Sequence, residues 1–238
     1  MSTSEKVFII GPGFIGWNVL DLLIEEGYTV SSLITIHTAT ISHLPSVSSV
    51  LTGLHHRAST DQPIISIHTS GPSVLDSLSP SVHKPPLIYT STSSSPITAS
   101  PLQPCTAIDL TIIRVRRLAH THQIAIMIPP GFKARHKRLT IQIPTITRFA
   151  LQRGWVGHVG KGLGVESQIH VLDLARAYIV LLHHMEVSSP TVFQANPCFF
   201  CENGKEFSWK EVAEEVGRAL EARGLIADAQ PREFGRGD

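Results

Sequence analysis

Gly11, Gly13 and Gly16 stand in the GxGxxG spacing, between the apolar run "VFII" and the stretch "FIGWNVLDLLIEE". In that stretch Ile15, Val19, Leu22 and Leu23 recur at helical intervals, while Asn18, Asp21 and Glu25 point away. A dinucleotide site needs glycine at a tight turn, glycine where backbone approaches the pyrophosphate, and glycine where helix packs on strand. The helix beginning there adds N–H groups and a partial positive charge for phosphate. Such a site also takes an acid about 20 residues on for the ribose hydroxyls, or an Arg for a 2′-phosphate. No Asp or Glu lies between Glu26 and Asp61, and no Lys or Arg between Glu26 and Arg57, so NAD and NADP both stay open.

The elements that must hold this turn alternate between strand and helix, which predicts an α/β fold with a mostly parallel sheet. Gly27 is placed for a left-handed cap on the first helix. "YTVSSLITIHTA" is strand-like throughout, although adjacent parallel strands need a crossover of a dozen or so residues. It is one long strand, or two strands that have lost the unit between them. An amphipathic helix over residues 45–57 presents Val47, Val50, Leu51 and Leu54, and the strand "PIISIH" ends in Thr69, Ser70 and Gly71. Residues 72–104 are crowded with Ser and Pro and read as a long loop.

Order returns at "DLTIIRV" and at "IAIMIPP", a buried strand closed by Pro129 and Pro130. Pro144 opens a helix that Gly154 closes. "QIHVLDLARAYIVLL" is a strand leading into a helix, with Asp173 as N-cap and Leu174, Tyr178, Leu181 and Leu182 inward. Ser208 and Glu211 form a capping box for a last helix whose inner face is Val212, Val216 and Leu220. The expected division is a dinucleotide-binding domain over residues 1–170 and a small α+β lobe over 171–238.

Composition narrows the partners. The net charge of +1 offers no general field for nucleic acid or an anionic membrane, and no apolar run approaches the roughly 20 residues of a membrane span. Three cysteines suit a reducing compartment, so a cytoplasmic protein is expected, its oligomeric state open. Cys198 and Cys201 form a CxxC, but no second pair or His spacing completes a zinc site, and "CFFC" reads as strand. Among 13 histidines, His55 and His56 are adjacent and face different sides of a helix, so no metal is expected. Lys133, Arg135, Lys137 and Arg138 read as a solvated loop, with a phosphate-holding patch as the alternative.

The segments "VFIIGPGFIGWNVLDLL", "IHTAT", "IHTSGPSVL", "IAIMIPP", "QIHVLDLARAY" and "ENGKEFSWKEVAEEVGRAL" together resemble the extended, atypical short-chain dehydrogenase/reductases. The likeness is to the NAD-dependent epimerase/dehydratase group, fungal members especially. It implies a Rossmann-type doubly wound sheet and an NAD or NADP cofactor. It also implies that Gly11, Gly13, Phe14, Ile15 and Gly16, with Thr38 and Ala39 and with Pro129 and Pro130, lie against that cofactor. In the family "IHTA" resembles the end of a fourth strand, which implies an internal deletion after about Leu33; the ending "PREFGRGD" implies a shortened substrate lobe.

Members of the family oxidise or reduce a carbonyl/alcohol pair with a Tyr, a Lys four residues later, and a Ser or Thr. Here the residues four places after the three tyrosines are Ser32, Ser93 and Leu182, so no YxxxK exists. Thr69 and Ser70 match the Ser/Thr position, and Tyr89 lies near the loop where the Tyr is sought. Without its Lys, the Tyr89 phenol is expected near the ordinary value of about 10. His170 and Asp173 belong to a segment that in the family mainly positions strand and helix. The resemblance therefore leaves two readings: an oxidoreductase or epimerase/dehydratase-like enzyme, and a catalytically inactive dinucleotide-binding or regulatory protein.

Overall fold

The structure, a computed structural model, describes residues 6–11, 13–30, 34–39, 43–58, 64–71, 104–116, 122–133 and 142–235. In chain order the elements are β1 (Lys6–Ile10), α1 (Phe14–Glu25), β2 (Thr29–Val30), β3 (Ile34–His37), α2 (Leu44–Ala58), β4 (Ile64–Thr69), α3 (Pro104–Arg116) and β5 (His122–Ile128). There follow β6 (Gly131–Lys133), α4 (Gln142–Arg153), β7 (Trp155–His158), β8 (Val165–His170), α5 (Val171–Val187) and α6 (Pro190–Ala195). The last are β9 (Cys198–Phe200), β10 (Glu206–Ser208), α7 (Trp209–Glu221) and β11 (Asp228–Glu233).

Two compact units result. One holds β1–β5, β9, α1–α3, α5 and α6; the other holds β6–β8, β10, β11, α4 and α7. This partition differs from the expected division at residue 170, because α5, α6 and β9 belong with the first unit and β6–β8 with the second.

The first unit is a parallel sheet of six strands in the order β2-β1-β3-β4-β5-β9. "YTVSSLITIHTA" is thus two strands on opposite flanks of β1, with only residues 31–33 between them in sequence. The doubly wound order is 3-2-1-4-5-6. Counting β3 as the fourth strand reproduces that order with the third strand missing and the second cut to two residues, in keeping with a lost joining unit. A parallel sheet is ordinarily covered on both faces. Phe8, in β1 with neighbours on both sides, is nevertheless 48% exposed.

The core follows from strand alternation. Ile64 of β4 and Ile124, Ile126 and Ile128 of β5 face Val47, Leu51 and Leu54 of α2 and Ile108 and Ile112 of α3. Each such side chain contributes at most about 1.5–3 kcal/mol. "DLTIIRV" lies within α3, whose buried Ile108 and Ile112 stand at i, i+4. At the end of α1, Gly27 adopts φ +85° while its N–H and that of Tyr28 donate to Ile24 and Leu23 carbonyls at 3.0 and 2.9 Å. Asn18 is buried, not outward as the periodicity implied, because its amide donates to the Phe14 carbonyl at 2.8 Å one turn back.

Helix α5 starts at Val171, so Asp173 sits in the first turn rather than at the N-cap, paired with Arg176 at 2.8 Å. Leu174, Tyr178, Leu181 and Leu182 are all buried, as the spacing predicts.

The second unit pairs β10 antiparallel and β6 parallel with β8, and β11 parallel with β7. Ala150, Val156, Ala213, Leu220 and Ile226 form its core. The capping box of Ser208 and Glu211 is present. The inner face of α7 is turned slightly from expectation: Ala213, Gly217 and Leu220 are buried while Val212 and Val216 are half-buried. A Cβ at Gly217 would come within 2.3 Å of the Ala229 carbonyl, so only glycine lets β11 lie that close. Among the described residues no helix is long and apolar enough to cross a membrane.

Candidate functional site

The glycine turn has three positions with three separate reasons for glycine. Gly11 has φ +85°, and a Cβ there would meet Ala39 Cα at 2.2 Å. At Gly16 a Cβ would meet the Gly11 carbonyl at 2.4 Å and Thr38 Oγ1 at 2.5 Å, so helix and strand touch backbone to backbone. Gly13 differs: its Cβ would find only the Gly11 carbonyl, at 3.9 Å. Nothing among the described residues demands glycine there, which leaves room for a group approaching from outside. That is the middle position, where a pyrophosphate comes close.

Thr38 locks the turn. Its Oγ1 donates to the Gly11 carbonyl at 2.7 Å and its N–H to the Ile10 carbonyl at 2.8 Å. Gly13 is the N-cap residue of α1, no side chain caps that end, and no acid stands in the first turn. The helix terminus therefore keeps its positive end for an anion. Phe14 and Ile15 are half-buried in that first turn, and Ala39 is exposed beside it. Pro129 and Pro130 follow β5 at the same carboxyl edge of the sheet, the first buried and the second half-buried.

A second polar group lies along that edge, under α3. Register pairs His37 with His68 on adjacent strands, where the rings stack at 5.0 Å and their Nδ1 atoms face each other at 3.1 Å. One residue past β4, the Ser70 hydroxyl donates to Asp109 Oδ2 at 2.6 Å, while its N–H donates to the Met127 carbonyl. Asp109 Oδ1 stands 3.7 Å from His68 Nε2. That is too long for a hydrogen bond. Burial, with His37 adding like-charge repulsion, holds the His68 imidazole down at about 3, so the pair is no salt bridge near neutrality. Burial also lowers His37, and it pushes the Asp109 carboxyl up to about 7 although the Ser70 hydrogen bond pulls the other way.

On the opposite face, Thr69 Oγ1 meets the Tyr178 hydroxyl at 2.5 Å. Tyr178 is completely buried, and burial pushes its phenol upward, away from any role as a proton donor near pH 7. The other described phenol, Tyr28, donates to both Glu186 carboxylate oxygens. Tyr89 lies outside the described residues, as do Arg135, Lys137 and Arg138. Cys198 is buried at the start of β9 and Cys201 is half-buried, neither in a disulfide. Among the described residues no group of three His, Cys, Asp or Glu could hold a metal.

No family model and no curated protein matches the sequence. Solved structures do match. A dTDP-glucose 4,6-dehydratase from Bacillus anthracis in complex with NAD superposes with a TM-score of 0.67, covering 98% of this chain and 86% of its own at 14% identity. The fold is that of the epimerase/dehydratase enzymes. A UDP-N-acetylglucosamine 4-epimerase from Methanobrevibacter ruminantium gives a TM-score of 0.64 at 14% identity, over 99% of this chain and 87% of its own. A GDP-L-fucose synthetase from Naegleria fowleri bound to NADP gives 0.62 at 13% identity, over 99% and 84%.

On this epimerase/dehydratase fold the sequence motif places Gly11, Gly13, Gly16 and Thr38 together, and Ser70 at the end of β4. The periodicity missed His37, His68 and Asp109. A signal was present: "ITIHT" at 34–38 and "ISIHT" at 65–69 repeat the same pattern, which puts two histidines side by side once the strands pair in parallel.

Proposed function

We propose that the chain is an NAD(P)-dependent oxidoreductase or epimerase/dehydratase-like protein acting on a small carbonyl or alcohol metabolite. The observation that carries this reading is Gly13, the glycine of the turn at which an added side chain would meet no described residue closer than 3.9 Å. Gly11, Gly13, Phe14, Ile15 and Gly16 would receive the pyrophosphate, with Thr38, Ala39, Pro129 and Pro130 along the rest of the cofactor. When bound, the dinucleotide supplies hydride transfer. Neighbours solved with NAD and with NADP support the reading without choosing between them. Two of these neighbours, a dTDP-glucose 4,6-dehydratase and a UDP-N-acetylglucosamine 4-epimerase, are enzymes of nucleotide sugars, polyhydroxylated molecules of the kind this chemistry serves.

Ser70 and Thr69 are the residues proposed to handle the substrate oxygen, with Tyr89 as the third candidate. Thr69 is committed to Tyr178, which leaves Ser70 the better placed of the first two. A second reading, a dinucleotide-binding protein without catalysis, is favoured by the absence of any YxxxK. A thermal-shift series on the whole chain with NAD, NADH, NADP and NADPH tests the shared part, since a ligand bound only by the folded form raises its stability. A rise with one of them is expected, and indifference to all four refutes both readings. Dinucleotide-linked absorbance change at about 340 nm, tested against a panel of small alcohols and carbonyls, then separates enzyme from binding protein.

A further inference from the structure

Ser70 has one proton to direct, and the structure gives it to Asp109. The contact is short, 2.6 Å, and Asp109 is wholly buried with relative exposure 0%. Among the described residues its other oxygen, Oδ1, has no hydrogen-bond partner, nor have His68 Nε2 and His37 Nε2. No buried Lys or Arg side chain occurs among the described residues to compensate a carboxylate. A buried acid served by one hydroxyl and no cation is poorly held as an anion.

We propose that Asp109 is a positioning residue whose protonation sets the direction of the Ser70 hydroxyl. An ionised Asp109 takes the Ser70 proton, so Ser70 Oγ turns only lone pairs outward and accepts from a substrate hydroxyl. A neutral Asp109 can itself donate to Ser70 Oγ, which frees the serine proton for a substrate carbonyl. This inference rests on the oxidoreductase reading. In the oxidative direction the substrate hydroxyl gives its proton to Ser70 Oγ as Ser70 gives its own to Asp109 Oδ2, ending with neutral Asp109. The hydride leaves for the dinucleotide, so atoms and charge balance, and reduction runs the same steps in reverse.

The histidines extend the same logic. Two neutral imidazoles facing through Nδ1 must divide their roles, one donating and one accepting. If His37 donates, His68 carries its proton on Nε2, toward Asp109 Oδ1, which suits the carboxylate. If His68 donates, its Nε2 is a bare lone pair turned toward Asp109 Oδ1, which a carboxylate repels and a neutral acid protonated on Oδ2 repels less. A charged Asp109 therefore strengthens the preference for the tautomer with the His68 proton on Nε2.

Around Asp109 the titratable groups are His68 on β4 and, behind it, His37 on β3. On β5 the corresponding group is His122, at the far end of the strand opposite Ile64. His55 and His56 of α2 and Arg114 of α3 are exposed. None of these last four replaces the partner that Asp109 lacks.

The test uses the full chain labelled with carbon-13 at aspartate carboxyls and nitrogen-15 at histidine rings. Asp109→Asn identifies the Asp109 signal by its loss; should that variant not fold, displacement of one signal in both Ser70→Ala and His68→Gln identifies it. Expected is a midpoint near neutrality that moves upward by about one pH unit, a tenfold change in the ionisation equilibrium, in Ser70→Ala. The His68 nitrogens should show the Nε2–H tautomer more fully on the alkaline side of that midpoint. Titration in the ordinary carboxylate range, or a midpoint unmoved by Ser70→Ala, overturns the proposal. The dinucleotide thermal-shift series is a separate axis: its failure removes the oxidoreductase reading whatever the Asp109 midpoint does.

Discussion

The glycine turn after β1 and Ser70 after β4, bound to Asp109 of α3, lie along the carboxyl edge of one sheet with β3 between the two strands, and they are built by opposite means. In the turn, side chains are absent: backbone meets backbone at Gly11 and Gly16, and the Thr38 hydroxyl satisfies the exposed carbonyl. In the cluster, polar side chains are buried with too few partners, and three ring or carboxyl atoms have none. The first stabilises by close packing and, at Gly11 and Gly16, tolerates nothing added. The second carries a free-energy cost in the folded state, which is the usual mark of a group kept for its chemistry.

Substitutions sharpen that contrast. Gly11→Ala should have the largest effect, since a side chain there combines a positive φ with a collision against Ala39. About 3 kcal/mol or more of stability should be lost, read as a fall in the urea midpoint. A midpoint within error of the parent would mean that the turn is looser than its contacts imply.

Asp109→Asn comes next and acts through pH. Asp109 titrates at about 7 in the fold against an ordinary 3.8, so its contribution to stability is complete below 3.8 and is lost as pH rises through 7. His68 titrates at about 3 against 6.5, so its contribution is present above 6.5 and is lost as pH falls toward 3. Between 3.8 and 6.5 the two oppose each other, with His37 on the side of His68. Removing the acid should therefore steepen the loss of stability on acidification, compared by urea unfolding at about pH 7.5 and about pH 5. Equal slopes in parent and variant would show that Asp109 is ionised throughout.

Smaller effects follow on the opposite face and at the turn itself. Tyr178→Phe deletes the hydrogen bond to Thr69 in a dry environment and should cost about 1 kcal/mol in the same unfolding measurement; no cost would mean that Thr69 finds another acceptor. Gly13→Ala should change stability by no more than about 0.5 kcal/mol, because the added methyl meets nothing closer than 3.9 Å. Its dinucleotide-induced thermal shift should shrink all the same. A Gly13→Ala variant that melts like the parent and still responds fully to the dinucleotide would break the assignment of Gly13 to the ligand.

Much of the fold was legible because its signals are local. The apolar strands, Gly27 and the Ser208–Glu211 box depend on neighbours a few residues away. The turn was legible for the same reason, since Gly11, Gly13 and Gly16 act within six residues of chain. The buried cluster was not, because Asp109 meets Ser70 across 39 residues of sequence and His37 meets His68 across 31. Asn18 and Asp173 were misplaced for a subtler reason: a polar side chain bonded to its own helix can be buried, and a helix can begin two residues before its best cap.

The three-residue interval between β2 and β3 has a kinetic consequence. Val7 pairs with Ile34 only 27 residues further along, and Lys6 with Thr29 only 23, so the first three strands of the sheet assemble by short-range closure. Because closure entropy rises with the logarithm of loop length, about 0.6 kcal/mol per doubling, this corner forms more cheaply than β4 pairing with β5 across 58 residues from Ile64 to His122. Refolding followed by pulsed hydrogen exchange should show Ile9 and Ile36 protected before Ile67 and Ala125. The glycine turn would then be shaped before the strands that carry Ser70 come together.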